Sequence, residues 1–249
     1  MSKIALVTGA TSGIGEAAAR LFASHGYRLI ITGRREDRLN ALKESLNTEV
    51  LALVFDVRQQ QAVEAAINGL PAAWKDIDVL VNNAGLAVGL SPLQEGVVDD
   101  WERMIDTNIK GLLYVSRNVL PLMITRKKGH VINIGSIAGK EVYPNGNVYC
   151  GTKHAVDAIS QGMRIDTVQH GIKVTAIHPG AVETEFSIVR FKGDEERANA
   201  VYKGFEPLTA KDVAESIYYV TTLPAHANIN DLVLMPTAQA SATVLHRNG

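Results

Sequence analysis

The chain has a single cysteine, Cys150, among its 249 residues. An intrachain disulfide is therefore excluded, and so is a metal site built on several thiolates. The sequence has no uninterrupted run of about 18 apolar residues, the sequence signal of a spanning helix. Neither sign of charge is in excess: 25 Lys and Arg stand against 26 Asp and Glu, a formal net charge of −1. A nucleic-acid role thus lacks the basic surplus that phosphate neutralisation needs. Internal repeats, low-complexity tracts and Pro/Ser-rich linkers are missing too, so nothing divides the chain. The opening Met-Ser-Lys enters an apolar stretch at Ile4 too soon for a secretory signal. The seven histidines show no metal-ligand spacing, and His154 and His178 read as structural or peripheral. The expectation is one cytoplasmic domain over residues 1–249, with no membrane, nucleic-acid or metal partner.

What is present is a rhythm. Hydrophobic residues make up 46%, enough for a sizeable core. Short runs rich in Val, Ile and Leu fall at 4–8, 28–32, 51–55, 79–82, 131–134, 173–177 and 232–235. They alternate little, as strands buried on both faces should. Helical patterns lie between them, at 13–24, 37–46, 60–68, 100–124, 150–169 and 210–222. Strand alternating with helix predicts an α/β class: a single Rossmann-type domain with a doubly wound, seven-stranded, mostly parallel sheet. Ligands of such sheets bind beyond the carboxyl ends of the strands. Unusual residues do cluster after each run.

The first run ends in Thr8-Gly9-Ala10-Thr11-Ser12-Gly13-Ile14-Gly15. Gly9, Gly13 and Gly15 suit a tight turn, a close approach to a pyrophosphate and close helix–strand packing, with the helix's positive end at the phosphates. A site for NAD would place an acid at the end of the second strand. Here Arg34 and Arg35 stand there instead, with Arg38 a turn later. Guanidinium groups suit a phosphate, which points to the 2′-phosphate of NADP(H); an ordinary solvated basic turn is the alternative. Asp56 could accept from an adenine amino group with Val57 against the ring, or could cap the next helix. Asn83, Ala84 and Gly85 end the fourth strand and let backbone lie near a cofactor. Pro179 and Gly180 break the sixth, with Val182 and Thr184 in reach of the cofactor beyond.

Tyr149 and Lys153 stand four residues apart, one face of a helix. A free phenol is too weak an acid to serve as a base near neutrality, and a nearby ammonium favours the phenolate. Oxidising an alcohol needs a group that takes the hydroxyl proton as hydride leaves carbon. Ser136, after the fifth run, could hold the substrate oxygen or cap a turn. Asn108 interrupts a helical pattern where Asn is unfavourable; it could hold a water linking Lys153 to solvent, or mark a kink.

Taken in order along the chain, Thr8-Gly-x-x-x-Gly-x-Gly15, Asn82-Asn-Ala-Gly85, Asn108, Ser136, Tyr149-x-x-x-Lys153 and Pro179-Gly180 resemble the short-chain dehydrogenase/reductase family. The resemblance implies a Tyr149 base, Lys153 on the nicotinamide ribose, Ser136 orienting substrate, Asn108 in a proton relay, and frequent homotetramers. Residues 184–194 and 222–230 are similar to the family's NADP-dependent dehydrogenases of short 3-hydroxy acids, a group that includes enzymes acting on L-serine and L-allo-threonine. That implies oxidation at the 3-hydroxyl to a 3-oxo acid. A carboxylate substrate wants a cation, and Arg190 is the candidate, with Lys192 beside it; a solvated basic loop is the alternative. The competing readings are the same fold acting on another carbonyl, such as a thioester, sugar or diketone, and a non-catalytic NADP-binding sensor.

Overall fold

The apolar runs form strands, and helices pack on both faces of the sheet they build. A computed structural model describes residues 2–248; Met1, part of the opening read above, and Gly249 lie outside the described residues. The chain order is β1 (Ile4–Thr8), α1 (Gly13–Ser24), β2 (Arg28–Gly33), α2 (Glu36–Ser45), β3 (Val50–Val54), α3 (Gln60–Asn68), β4 (Ile77–Asn82), α4 (Val98–Ile105), α5 (Leu112–Arg126), β5 (Gly129–Ile134), α6 (Asn147–Thr167), β6 (Ile172–Pro179), β7 (Val182–Glu183), α7 (Phe186–Arg190), α8 (Glu195–Ala200), β8 (Leu208–Thr209), α9 (Ala210–Thr222) and β9 (Asp231–Leu234). Seven strands form one sheet in the order β3-β2-β1-β4-β5-β6-β9. Every pairing described in it is parallel.

Burial follows from this order. Central β1 is buried along its whole length, whereas edge strand β9 alternates between exposed and half-buried residues. One core cluster joins Phe22 of α1, Leu39 of α2 and Ile217 of α9 to one face of the sheet. A second joins Ile67 of α3, Val119 and Met123 of α5 and Val156 of α6 to the other. Local signals set the ends. Gly26, at φ +76°, turns the chain after α1. Thr209 and Asp212 close a reciprocal capping box that starts α9.

The order reverses between β1 and β4, so their carboxyl ends open the crevice where ligands of such sheets bind. Two expectations change. The helix read at 100–124 is α4 and α5 joined by a π turn over Asp106–Gly111. The segment between β6 and α9, read as a loop, contains α7, α8 and the two-stranded β7–β8 pair. These elements are too short to show a period in sequence.

Candidate active site

A cleft of about 540 Å³ runs along the carboxyl ends of the sheet, within the size range of cofactor and small-molecule sites. Its floor is the glycine loop after β1. Gly9 and Gly13 have positive φ, +66° and +54°. A Cβ on Gly15 would lie 2.3 Å from the Gly9 carbonyl oxygen, so only glycine lets α1 start against the strand end. Ser12 occupies the N-cap of α1 but its hydroxyl caps nothing; it accepts from Arg35 Nη2 at 2.9 Å. The first N–H groups of α1 thus have no side-chain partner from the cap residue. Asn83 fixes the loop from the far side, its Nδ2 donating to Thr8 O at 2.9 Å and Gly9 O at 3.2 Å.

Thr11, Ser12, Gly13 and Ile14 line the cleft as expected. Ala10 does not: it is fully buried, its N–H donating to Thr32 O at 3.0 Å. Gly15 also lies below the surface, as packing rather than contact. At the end of β2, Arg34 is largely exposed and only 3.8 Å from Asp56, leaving its guanidinium available. Arg35 folds over the glycine loop onto Thr11 and Ser12 and reaches Glu185 at 3.1 Å. Arg38 is outside the cleft wall and pairs with the same Glu185 at 2.7 Å. Glu185, which the sequence reading did not single out, therefore spans from the β6 side to the basic β2 end. Arg38's hydrogen bond, then Arg35's, holds its carboxyl below the ordinary range.

Asp56 and Val57 line the cleft. Asp56 is committed to Arg58, which donates to it at 2.7–3.1 Å, and the cap position of α3 belongs to Gln59, so Asp56 is not the helix cap. Burial pushes the Asp56 carboxyl up, but the Arg58 hydrogen bonds outweigh it and the net direction is down. Across the crevice, Ala84 and Gly85 face Pro179, Gly180, Val182 and Thr184. Gly13 faces Thr184 closely, a Cβ there meeting its methyl at 3.3 Å.

The chemistry-bearing residues meet at the other end. Tyr149, Lys153 and Ser136 all border the cleft. Tyr149 and Lys153 share one face of α6, with the ammonium 6.0 Å from the phenol ring centre. Lys153 Nζ makes one described hydrogen bond, to Ile134 O at 2.9 Å, so two donor directions are unspent. Burial lowers its pKa to about 8. Burial also pushes the Tyr149 phenol well above its ordinary value, reinforced by Tyr143, while the Arg190 charge and the Ser136 hydroxyl pull the other way. The expectation that Lys153 sets the phenol's acidity thus changes: in the protein alone, desolvation dominates and Arg190 is the leading opposing charge.

Ser136 fills one of the two roles weighed for it: its Oγ accepts from Ala138 N at 3.1 Å, capping the turn Ile137–Gly139, and the residue borders the cleft. Asn108 sits in the π turn behind the wall, not in it. Its Oδ1 accepts from Leu86 N at 2.8 Å, and its Nδ2 donates to Leu86 O at 2.8 Å and Thr152 Oγ1 at 3.0 Å. Gly85 makes room for this: a Cβ there would be 3.2 Å from Asn108 Oδ1 and 3.6 Å from Lys153 Nζ.

Arg190, in α7, lies over Tyr149 with its Cζ 5.0 Å from the ring centre, and donates to Tyr143 Oη. Its Nε is buried with no hydrogen-bond partner. Lys192 is spent on Asp100 at 2.7 Å and does not border the cleft. The sequence reading missed Tyr143, Phe186 and Tyr202, which wall this end, since each is brought in by a loop or short helix. By composition the small, polar tail at 236–249 could fray or wrap a neighbour. Through Asn248 the tail returns to its own chain: Gln239 accepts from Ala181 N at 2.8 Å, Arg247 donates to Val201 O at 2.9 Å, and Leu245 borders the cleft. Cys150 packs in an apolar cluster beside Tyr149.

Comparisons agree with this geometry. The family profile for short chain dehydrogenase matches residues 3–195. The NADP-dependent 3-hydroxy acid dehydrogenase of Salmonella typhimurium is 52% identical over 247 residues, 98% of this chain and 100% of that one. The serine 3-dehydrogenase of Agrobacterium fabrum is 46% identical over 242 residues, 97% of each. Among solved structures, the closed form of serine dehydrogenase complexed with NADP+ matches at a TM-score of 0.93 and 50% identity, covering 98% of this chain and 99% of that one.

Proposed function

The chain belongs to the short-chain dehydrogenase family, and from that premise we propose that it is an NADP-dependent oxidoreductase interconverting short 3-hydroxy acids and 3-oxo acids. The observation that carries the reading is the convergence of Tyr149, Lys153 and Ser136 on one end of the cleft, under the half-buried Arg190 guanidinium, whose buried Nε has no partner. The other end fits a dinucleotide with a 2′-phosphate. A glycine cradle leaves no room for a Cβ, α1 starts without a side-chain cap, and guanidinium groups stand where an NAD site would put an acid.

Gly9, Thr11–Gly13 and Ile14 would hold the pyrophosphate, Arg34 and Arg35 the 2′-phosphate, Val57 and Ala84 the adenosine, and Lys153 the nicotinamide ribose. Bound NADP+ supplies the hydride acceptor. Ser136 donates its O–H to the substrate oxygen and fixes it beside Tyr149. Tyr149 is a neutral phenol in the protein alone; once cofactor and substrate favour its ionised form, it would take the hydroxyl proton as hydride leaves the same carbon for the acceptor and the carbonyl forms, and reduction would run the same path backwards with Tyr149 as acid. A water carrying that proton past Lys153 uses the lone pair left on Asn108 or its main-chain carbonyl, because the side-chain donors are occupied. Arg190 pairs with the substrate carboxylate, which satisfies its free Nε–H.

The test follows NADPH formation by purified protein given NADP+ or NAD+ with L-serine, L-allo-threonine and 3-hydroxybutyrate. Turnover with NADP+ alone is the expected result. Turnover only with unrelated carbonyls discards the hydroxy-acid assignment, and tight NADPH binding without turnover favours a sensor. Arg190→Ala raises KM for the acids by about 10- to 100-fold, the loss of a charge-assisted pair, while an uncharged alcohol is affected far less. An unchanged KM overturns the carboxylate role.

Among the described residues no helix is long and apolar enough to cross a membrane. We place the protein in the cytoplasm as a homotetramer. Exposed Leu113 on α5 and Ile165 on α6 offer apolar contact surface. Light scattering should give four times the chain mass of 26.9 kDa; a monomer mass refutes the assembly.

A further inference from the structure

Behind the site serine lies a polar cluster that the proposed mechanism does not use. His178, in β6, is completely buried, and its ring stands against the Gly135–Ser136 backbone. A Cβ on Gly135 would fall 2.4 Å from His178 Nδ1, so glycine is what admits the ring. Nδ1 lies 3.2 Å from the Ser136 main-chain oxygen. A carbonyl only accepts, so Nδ1 carries the proton. The other nitrogen, Nε2, has no hydrogen-bond partner and looks toward Asp231 Oδ1 at 3.4 Å and Asp157 Oδ1 at 3.7 Å. Lys140 bridges both carboxylates, 3.0 Å from Asp157 and in a very short contact with Asp231. These three residues are the charged groups that face the imidazole from α6, β9 and the turn after Ser136. Asp157, His178 and Asp231 could chelate a divalent cation, but the Lys140 ammonium already occupies the carboxylates.

We propose that His178 is a positioning residue: its Nδ1–H holds the Ser136 carbonyl and so aims the Ser136 hydroxyl at the substrate oxygen. The inference rests on the role of Ser136 given above. The serine peptide has two other anchors, Gly139 N to Ser136 O at 2.8 Å and Gly135 N to Ile177 O at 2.7 Å. Loss of the imidazole bond therefore does not orphan the carbonyl. It removes the one described restraint on that carbonyl from another residue's side chain, leaving the hydroxyl with its Ala138 N contact, and the cost falls on orientation more than on folding. Burial holds the imidazole below its ordinary pKa against the pull of Asp231, and Lys140 adds to that lowering. The ring is thus neutral near pH 7, in keeping with an Nε2 that donates to nothing.

The experiment compares His178→Leu, which keeps bulk without a donor, with His178→Asn, whose amide N–H can take the place of Nδ1–H. His178→Leu is expected to lower kcat about tenfold, the scale of one net hydrogen bond, with the Kd for NADPH unchanged. His178→Asn restores most of that loss. A wild-type kcat in His178→Leu, or an Asn variant as slow as the Leu variant, overturns the proposal. Should His178→Leu not fold, 15N NMR of the histidine-labelled wild type decides: a neutral Nδ1–H tautomer supports the proposal, and a neutral Nε2–H tautomer refutes it. Ser136→Ala, made in parallel, separates the two readings. If it keeps full kcat, the serine role itself fails. If it is slow, His178→Leu should add little on top of it, because both act through one hydroxyl.

Discussion

Lys153 is held in its charged form at a cost. Its folded-state pKa of about 8 lies below the ordinary 10.5, because burial disfavours the ammonium. Below pH 8 the lysine is charged whether folded or unfolded, and the folded protein bears the full desolvation cost. As pH rises through 8 toward 10.5 the folded lysine releases its proton first, and that cost is relieved. Relative to Lys153→Met, the cofactor-free protein should therefore gain stability over this window, by about 3 kcal/mol at most. Denaturant titrations at pH 7 and pH 10 measure it; a difference that does not change with pH refutes the assignment. Binding of an anionic cofactor favours the ammonium again. NADP+ binding near pH 9 should then take up a proton, which calorimetry in buffers of different ionisation enthalpy detects. The sequence made this pair legible through its spacing and through its place after the Ser136 turn. The direction of the Tyr149 shift was not legible, because it depends on how completely α7 and Arg190 cover the ring.

The π turn at Asp106–Gly111 does what an uninterrupted α-helix would not: it lets Asn108 reach across to Leu86 and to Thr152 on α6. Asn108→Ala would leave the buried Leu86 N–H and C=O without these partners. Two such groups cost about 3 kcal/mol, or a Tm lower by roughly 6–12 °C for a chain of this size. Thermal unfolding checks this, and a Tm within two degrees or so of wild type would mean that the loop finds other partners. The apolar spacing runs on through one extra residue per turn, which is why the sequence read one helix there. Asn108 itself was visible as a residue out of place. Strands and long helices were visible because burial on two faces, or on one stripe, leaves a period in the sequence. The two-residue strands β7 and β8 and the short helices α7 and α8 leave none. The walls they carry, Phe186, Arg190 and Tyr202, were therefore hidden, apart from the one guanidinium that substrate charge called for.

The far end of the chain closes the pocket that its beginning opens. Gln239, Leu245 and Arg247 wall the cleft on the side away from the glycine loop. Deleting residues 238–248 should raise KM for hydroxy acids while leaving NADPH affinity within a few-fold, by titration of NADPH fluorescence. Loss of both in equal measure would make the tail a support of the whole fold. Small polar residues gave no sign of this, since contacts with residues far back along the chain, such as Glu141, Ala181 and Val201, carry no local pattern. The strand order has a further consequence, during synthesis. β1 lies between β2 and β4, and every pairing is parallel. β2 follows β1 closely, but β4 begins only at Ile77, after β2 has ended at Gly33. At about 5–20 residues per second the ribosome exposes one edge of β1, unpaired and apolar, for roughly 2 to 10 seconds before its partner emerges. A strand interior to the finished sheet is thus an exposed adhesive edge on the growing chain, a place where a neighbouring nascent chain can pair in β4's stead.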